Sequence, residues 1–325
     1  WMLYGANGYT GRLIAEVAER RGLQPILAGR NRQEVEAMAS KHSMPCRVFP
    51  LEEMGKNLES VSAVLLAAGP FLHTSAIVAE ACLAASVHYL DITGEIGVFE
   101  ALYGLDERAK SAGSVLLPGV GFDVVPSDCL AASLAAALPN AKELELAFSG
   151  GTVSKGTAKT MVTGLGDGGA IRENGEIKKV PLGFHSKEIN FHDKRRYCTT
   201  IPWGDVSTAY RSTGIENIRV YTGSSPSRAR QMKMAGYAAP ILRNKFIQKQ
   251  LFKLIDAKVK GPDASERAAR NTQLWGQVVD SQGMSVEGTL TVGEGYSLTA
   301  ECAVESVERI GAVEAGFQTP STAFG

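Results

Sequence analysis

The run Gly5-Ala6-Asn7-Gly8-Tyr9-Thr10-Gly11 constrains this chain more than any other. It spaces three glycines as GxxGxxG between an apolar stretch, Met2–Tyr4, and a helical pattern over Arg12–Arg21. Glycines set this densely cost backbone entropy unless close approach requires them. Between a strand and a helix, one permits a tight turn, one lets backbone N–H groups reach a pyrophosphate, and one lets the helix pack close to the strand. The helix N-terminus adds partial positive charge at the same place. Within Arg12–Arg21, Leu13, Ile14, Val17 and Ala18 share one side, while Arg12, Glu16, Glu19 and Arg20 lie elsewhere. That is the stripe of a helix laid on a sheet. The segment reads as a dinucleotide-binding βα unit.

The same alternation continues to about residue 139. Short apolar runs such as Pro25–Ala28, Val61–Ala68, Val87–Leu90 and Ser114–Leu117 are separated by helix-like stretches. This predicts βαβ units and a parallel sheet buried on both faces. After Pro139 the texture changes. Glu143–Ser149, Lys178–Phe184, Arg196–Ile201, Ser207–Arg211, Ile218–Thr222, Trp275–Asp280, Ser285–Val292 and Ser297–Val307 read as strands, and Thr157–Leu165 and Arg228–Lys260 as helices. A second domain with one mostly antiparallel sheet is expected. Pro320 suits a helix start in a tail that returns to the first domain.

Bulk properties remove several function classes. With 34 basic and 34 acidic residues among 325, the net charge is zero, and no global basic field exists for nucleic acid. Cys46, Cys82, Cys129, Cys198 and Cys302 are scattered, without CxxC or Cys/His clusters. Neither a structural zinc site nor a disulfide framework is expected, and a reduced cytosolic compartment is the default. No apolar run approaches the ~18–20 residues of a membrane span. The chain opens in a strand-like run with Trp1 rather than an initiator Met, which suggests a short upstream segment.

The end of the second strand reads Ala28-Gly29-Arg30-Asn31. A carboxylate at this point would hold the ribose 2′-hydroxyl of NAD. Arg30 instead favours the 2′-phosphate of NADP, which a guanidinium grips through charge-assisted bonds. Gly69 and Pro70, ending the fourth strand, would let the backbone skirt the cofactor or simply break strand from helix.

Taken together, GANGYTGR, AGRN, AAGPF, YLDITGE and PGVGFDVVPSD resemble the saccharopine dehydrogenase-like reductases. SGGT at 149–152, IPWGDVSTAYRSTG at 201–214 and TPSTAFG at 319–325 are similar too, and place the chain nearest the trans-acting enoyl reductase branch. The resemblance covers most of the chain and is weakest over 225–270. It implies an α/β fold: a Rossmann-type parallel sheet domain with an inserted mixed α/β, largely antiparallel second domain. The expected parts are an NADP-binding domain over 1–139, a substrate and dimerisation domain over 140–308, and a C-terminal return over 309–325. Carried over residue by residue, the cofactor positions are Gly5, Asn7, Gly8, Tyr9, Thr10, Gly11, Arg30, Asn31, Ala68, Gly69, Pro70 and Gly94. Phe122 and Asp123 stand at the nicotinamide end. Such reductases act on diverse substrates, so the resemblance constrains the cofactor more than the reaction.

For an enone, hydride delivery makes an enolate, which needs oxyanion donors and a proton. Gly150, Gly151, Thr152 and Ser154 form a turn before a helix that would cradle a substrate carbonyl or carboxylate, or merely cap the helix. Asp123, Tyr210 and Lys159 are the catalytic candidates; Asp91, Glu95 and His73 are weaker ones. Residues 228–260 hold nine Lys or Arg against one Asp, interleaved with Ile247, Leu251, Leu254 and Ile255. They form either a helix packed on the second domain or a basic amphipathic surface for an anionic membrane. The expectation is an NADPH-dependent cytoplasmic reductase, with membrane association through 228–260 left open, of a hydrophobic or acyl small molecule. A homodimer through an exposed second-domain sheet is also expected. Alternatives are an amino-acid imine reductase of the saccharopine type, with Arg172, Arg195, Arg196, Arg211 and Arg219 available for carboxylates, and a non-catalytic NADP-binding scaffold.

Overall fold

Met2, Leu3 and Tyr4 are all buried, so β1 (Met2–Tyr4) is covered on both faces. It pairs in parallel with β2 (Ile26–Gly29) and β4 (Ala63–Leu66), with Leu3 opposite Leu27 and Leu65. With β3 (Cys46–Val48), β5 (His88–Asp91), β6 (Val115–Leu117) and β15 (Gly316–Phe317), these strands make a seven-stranded sheet ordered β15-β6-β5-β4-β1-β2-β3, parallel throughout. The period of two divides its side chains cleanly. On one face Leu3, Leu65, Leu90 and Leu117 pack with Ile14 and Ala18 of α1 (Tyr9–Arg20) and with Ala300, Ala303, Val304 and Val307 of the C-terminal helix Gly295–Arg309. On the other, Met2, Tyr4, Val64, Leu66, Tyr89 and Leu116 pack with Val78, Ala79 and Cys82 of the helix Phe71–Ala84 and with Val98 and Leu102 of the helix Ile96–Tyr103. Each fully buried side chain of this size contributes roughly 1.5–3 kcal/mol.

This computed structural model describes residues 1–325 except Thr152, Gly166, Asp167 and 238–243. The chain divides into two compact units, residues 1–125 with 296–325, and residues 126–295. We number the helices α1, α2 (Arg32–His42), α3 (Phe71–Ala84), α4 (Ile96–Tyr103), α5 (Asp106–Ala112), α6 (Val125–Ala137), α7 (Lys155–Leu165), α8 (Asp205–Thr213), α9 (Pro226–Tyr237), α10 (Lys245–Lys258), α11 (Ala264–Ala268), α12 (Gly295–Arg309) and α13 (Pro320–Phe324).

The second unit is built on β7 (Ala141–Ser149). It pairs in parallel with β12 (Asn217–Gly223) and antiparallel with β13 (Asn271–Asp280). The sheet runs outward through β11 (Arg195–Thr200) to β10 (Ser186–Asn190) on one side and to β14 (Ser285–Gly293) on the other. The hairpin of β8 (Gly169–Glu173) and β9 (Glu176–Val180) attaches to β12. Helix α6 lies on this sheet because Gly276 leaves room for it. A Cβ there would sit 2.7 Å from Leu134 Cδ1.

Several expectations are corrected. Ser297–Val307 is helical, not a strand: Ala300, Ala303, Val304 and Val307 recur at the i, i+3, i+4, i+7 spacing of one helix face, and this outweighs the β propensity of Thr299, Val304 and Val307. Ser207–Arg211 is also helical. It lies within α8, whose Asp205–Ala209 are all buried and which Gly214 ends in the left-handed conformation. The basic stretch 228–260 is divided between α9 and α10, and 238–243 lie outside the described residues. The second sheet is mostly antiparallel, as expected, with one parallel pair, β7–β12. The compact units meet at 125/126 and 295/296, whereas the boundaries were expected at 139/140 and 308/309. Helix α6 packs on the second sheet and α12 on the first, so each belongs with the sheet that buries it.

Candidate functional site

The carboxyl ends of the parallel strands carry the first unit's polar groups, as open α/β sheets require of a ligand site. At the end of β1, Gly5 has φ +90°, and a Cβ there would lie 2.8 Å from the Ala68 nitrogen. Gly11 lies so close to the turn that a Cβ would meet Ala6 O at 2.8 Å. Both glycines are therefore required by contact. The turn is closed by bonds from Gly5 N to Ala28 O (2.8 Å) and from Gly8 N to Gly5 O (3.0 Å), and Arg12 Nε braces it through Asn7 O (3.0 Å). Gly8 precedes α1 without a side-chain capping bond, and the first turn of α1 has no acidic residue. The first turn of this helix therefore carries no counter-charge of its own.

Helix α3 starts on the same rim and differs. Glu95 accepts from Phe71 N (2.8 Å) and Leu72 N (3.0 Å), so the chain's own carboxylate occupies that N-terminus. Burial holds the Glu95 carboxyl above its ordinary value against these two bonds. Thr74 Oγ1 donates to Ala68 O (2.8 Å), fixing the Ala68-Gly69-Pro70 turn, whose Gly69–Pro70 bond is cis. Asp91 is fully buried and anchors the next two strand ends. It accepts from Tyr89 OH (2.6 Å), Thr93 N (3.0 Å) and Gly119 N (2.9 Å), and burial pushes its carboxyl up to about 6. Glu95 is thus a cap and Asp91 an anchor. His73 is exposed.

Arg30 at the tip of β2 is exposed and has no carboxylate partner among the described residues. Asn31 caps α2 by accepting from Glu34 N (3.3 Å). An uncapped helix start, a glycine turn that no Cβ could enter, and an unengaged guanidinium at the second strand's tip fit the pyrophosphate and 2′-phosphate of NADP.

Beyond β6, Phe122 N donates to Thr299 Oγ1 (2.9 Å), and Gly121 packs against the same threonine. The Tyr9 and Tyr296 rings meet edge to face, 5.0 Å between centroids. Asp123 folds its half-buried side chain over Gly94, where a Cβ would lie 2.9 Å from Asp123 Cγ. Burial pushes the Asp123 carboxyl up to about 8, and no hydrogen bond or charge among the described residues counters it. Its acid is therefore mostly protonated at neutral pH, the state a proton donor needs.

The other catalytic candidates lie in the second unit. Tyr210 is on α8, with the Arg172 guanidinium 4.3 Å and that of Arg211 5.4 Å from its ring centre. Lys159, on α7, lies 5.8 Å from the centre of the Phe252 ring. In the glycine turn before α7, Gly150 and Gly151 have φ +121° and +107°, and Ser154 Oγ accepts from Thr157 N (3.3 Å) as a helix cap. Thr152 lies outside the described residues. Arg172 donates to Val206 O (2.8 Å) and Gly175 O (2.6 Å), while Arg195 pairs with Glu188, Arg196 with Asp193 and Arg219 with Glu145. Two motif segments also prove to be joined: Ser127 donates to Asp205 (3.0 Å) and Ser212 to Asp128 (2.7 Å), stitching α6 to α8. Among the described residues, no group of His, Cys, Asp and Glu could hold a metal ion.

Sequence reasoning missed Glu34, Tyr296 and Thr299. The Asn31-x-x-Glu34 spacing was a capping signal for the first. The helical period of α12 would have exposed the other two.

A parallel sheet with this turn and this guanidinium is the architecture of an NADP-binding domain. Residues 1–117 match the model of the saccharopine dehydrogenase NADP-binding domain. A putative trans-acting enoyl reductase of Mycobacterium tuberculosis is 31% identical over 138 residues, 39% of this chain and 33% of that protein. A saccharopine dehydrogenase-like oxidoreductase of Bos taurus is 26% identical over 214 residues, 56% of this chain and 50% of that protein. The matches thus span half or less of these relatives' length. The fold is that of the L-glutamate-forming saccharopine dehydrogenase of Saccharomyces cerevisiae, with a TM-score of 0.65 at 10% identity over 98% of this chain and 93% of that one.

Proposed function

We propose that the chain reduces a carbon–carbon double bond conjugated to a carbonyl, in a hydrophobic or acyl small molecule, with NADPH as reductant. The observation that carries this is the placement of Asp123 beyond β6, its side chain folded over Gly94 on the rim of the nucleotide-binding sheet, where burial raises its carboxyl. Bound NADPH supplies the hydride. Gly5, Gly8, Tyr9, Thr10 and Gly11 hold the pyrophosphate, Arg30 and Asn31 the adenosine end, Ala68, Gly69, Pro70 and Gly94 the wall beside it, and Phe122 the nicotinamide end. The Asp123 carboxyl gives its proton to the α-carbon of the enolate, and solvent returns one to the carboxylate afterwards.

The imine alternative requires cationic clamps for substrate carboxylates. Arg172, Arg195, Arg196 and Arg219 are engaged within the second unit, which favours the enoyl reading. Gly150, Gly151, Thr152 and Ser154 remain our proposed substrate contacts, with Lys159 and Tyr210 in reserve as catalytic groups. Contact of 228–260 with an anionic membrane is supported by the exposed Met234, Phe246 and Leu254 within a basic stretch. Among the described residues, no helix is long and apolar enough to cross a membrane. The edge strands β10 and β14 support a homodimer. A cytoplasmic location completes the proposal.

The test follows NADPH absorbance with enones, acyl thioesters and keto-acid/amine pairs. Turnover of the first two classes, lost in Asp123→Asn, is expected. Turnover only of keto-acid/amine pairs would establish the imine reading. NADPH binding with no acceptor reduced would leave a scaffold.

A further inference from the structure

The glycine turn and the tip of β2 are joined by one side chain. Glu34, in the first turn of α2, accepts from Asn7 Nδ2 at 2.7 Å through Oε2 and from Asn31 Nδ2 at 2.9 Å through Oε1. Its own N–H donates to Asn31 Oδ1 at 3.3 Å. Asn7 belongs to the turn, and Asn31 directly follows Arg30. The carboxylate therefore bridges the carboxyl ends of β1 and β2, where the adenosine ribose of a dinucleotide lies in this fold. A carboxylate offers about four acceptor positions, and the two asparagines take one on each oxygen. Glu34 is exposed, so the remainder face solvent.

We propose that Glu34 is a second determinant of cofactor choice, accepting a hydrogen bond from the ribose 2′-hydroxyl of a dinucleotide that lacks the 2′-phosphate, so that the site binds NADH as well as NADPH. This rests on the cofactor site described above. The two ligands differ at one oxygen. In NADH it is a hydroxyl that donates to a carboxylate; in NADPH it carries a phosphate that a carboxylate repels and a guanidinium attracts. Arg30 thus serves one ligand and Glu34 the other.

The test is equilibrium titration of NADPH and NADH, without acceptor, on wild type, Glu34→Gln, Glu34→Asp and Arg30→Ala, each checked by thermal unfolding. A bond to a charged group sets the expected size: Glu34→Gln should raise the Kd for NADH about tenfold or more, while the Kd for NADPH holds or falls. Glu34→Asp, which keeps the charge but retracts it, should fall between wild type and Glu34→Gln. Arg30→Ala should weaken NADPH and spare NADH. Equal weakening of both nucleotides by Glu34→Gln would overturn the proposal and leave Glu34 a brace of the turn, as would an unchanged Kd for NADH. Because no acceptor is present, failure here leaves the enoyl reading standing, and failure of that reading leaves these affinities unmoved.

Discussion

The nucleotide rim of the first unit and the sheet of the second treat their cations in opposite ways. In the second, Arg172, Arg195, Arg196, Arg219 and Lys187 all find carbonyl or carboxylate partners in the same unit. In the first, Arg30 stands at a strand tip with no carboxylate partner among the described residues, beside a helix start without a cap. A cation answered within its own fold is architecture, since removing it strands its buried partners. A cation left unanswered on a rim is available to a ligand. The two helix starts on the rim repeat the contrast: Glu95 occupies the N-terminus of α3, while that of α1 has no acid.

The sharpest break of this contrast is Asp123→Asn, which should cut acceptor turnover about 100-fold or more while leaving the Kd for NADPH unchanged. Turnover in wild type should fall as pH rises through about 8, and that limb should vanish in the variant. The stability sign follows. The folded carboxyl holds its proton up to about 8, whereas the unfolded one releases it near its ordinary value. Burial of this group therefore costs nothing at low pH and costs progressively more as pH rises between those values. Asp123→Asn should raise Tm at pH 9 and change it little at pH 3, as calorimetry would show.

Gly5→Ala should cost roughly 2–4 kcal/mol in denaturant unfolding and abolish NADPH binding, because it forces a Cβ into a left-handed residue against Ala68. Arg172→Ala should cost about 2–3 kcal/mol and leave the Kd for NADPH unchanged, since it strands the Val206 and Gly175 carbonyls. Arg30→Ala is its mirror image: NADPH should bind about tenfold to a hundredfold more weakly, with Tm unmoved. If Arg30 proved the stabilising residue and Arg172 the binding one, the contrast would collapse. Glu95→Gln is the mildest, with an expected loss of about 1 kcal/mol or less, because the amide oxygen can still accept one of the two N–H bonds.

The first sheet was legible because its determinants are local. The glycine turn, the apolar strands and the arginine at the tip of β2 each announce themselves within a few residues. The second unit was legible only in outline. Ser297–Val307 carries Thr299, Val304 and Val307, and its helical period shows only when burial is counted across two turns, while Ser207–Arg211 is too short for a period to decide between helix and strand. Asp123 was legible as a residue but not as an acid: its protonation comes from burial, which sequence spacing does not report. The roles of Asp128 and Asp205 depend on partners far along the chain, Ser212 and Ser127.

The clasp between α1 and α12 bears on how the chain is made. Arg20 and Arg21 bind Glu301, Glu305 and Glu308, and Ala300, Ala303, Val304 and Val307 cover the face of the sheet that α1 shares. The nucleotide-binding unit is therefore discontinuous, whereas residues 126–295 are one uninterrupted stretch. During synthesis the inserted unit can fold as soon as it emerges, while its host waits, half covered, for 296–325 to leave the ribosome. Closing so long an intervening loop adds little entropic penalty, because that penalty grows only with the logarithm of length. Competence to take up a nucleotide thus waits on residues 296–325, long after the glycine turn itself has been made.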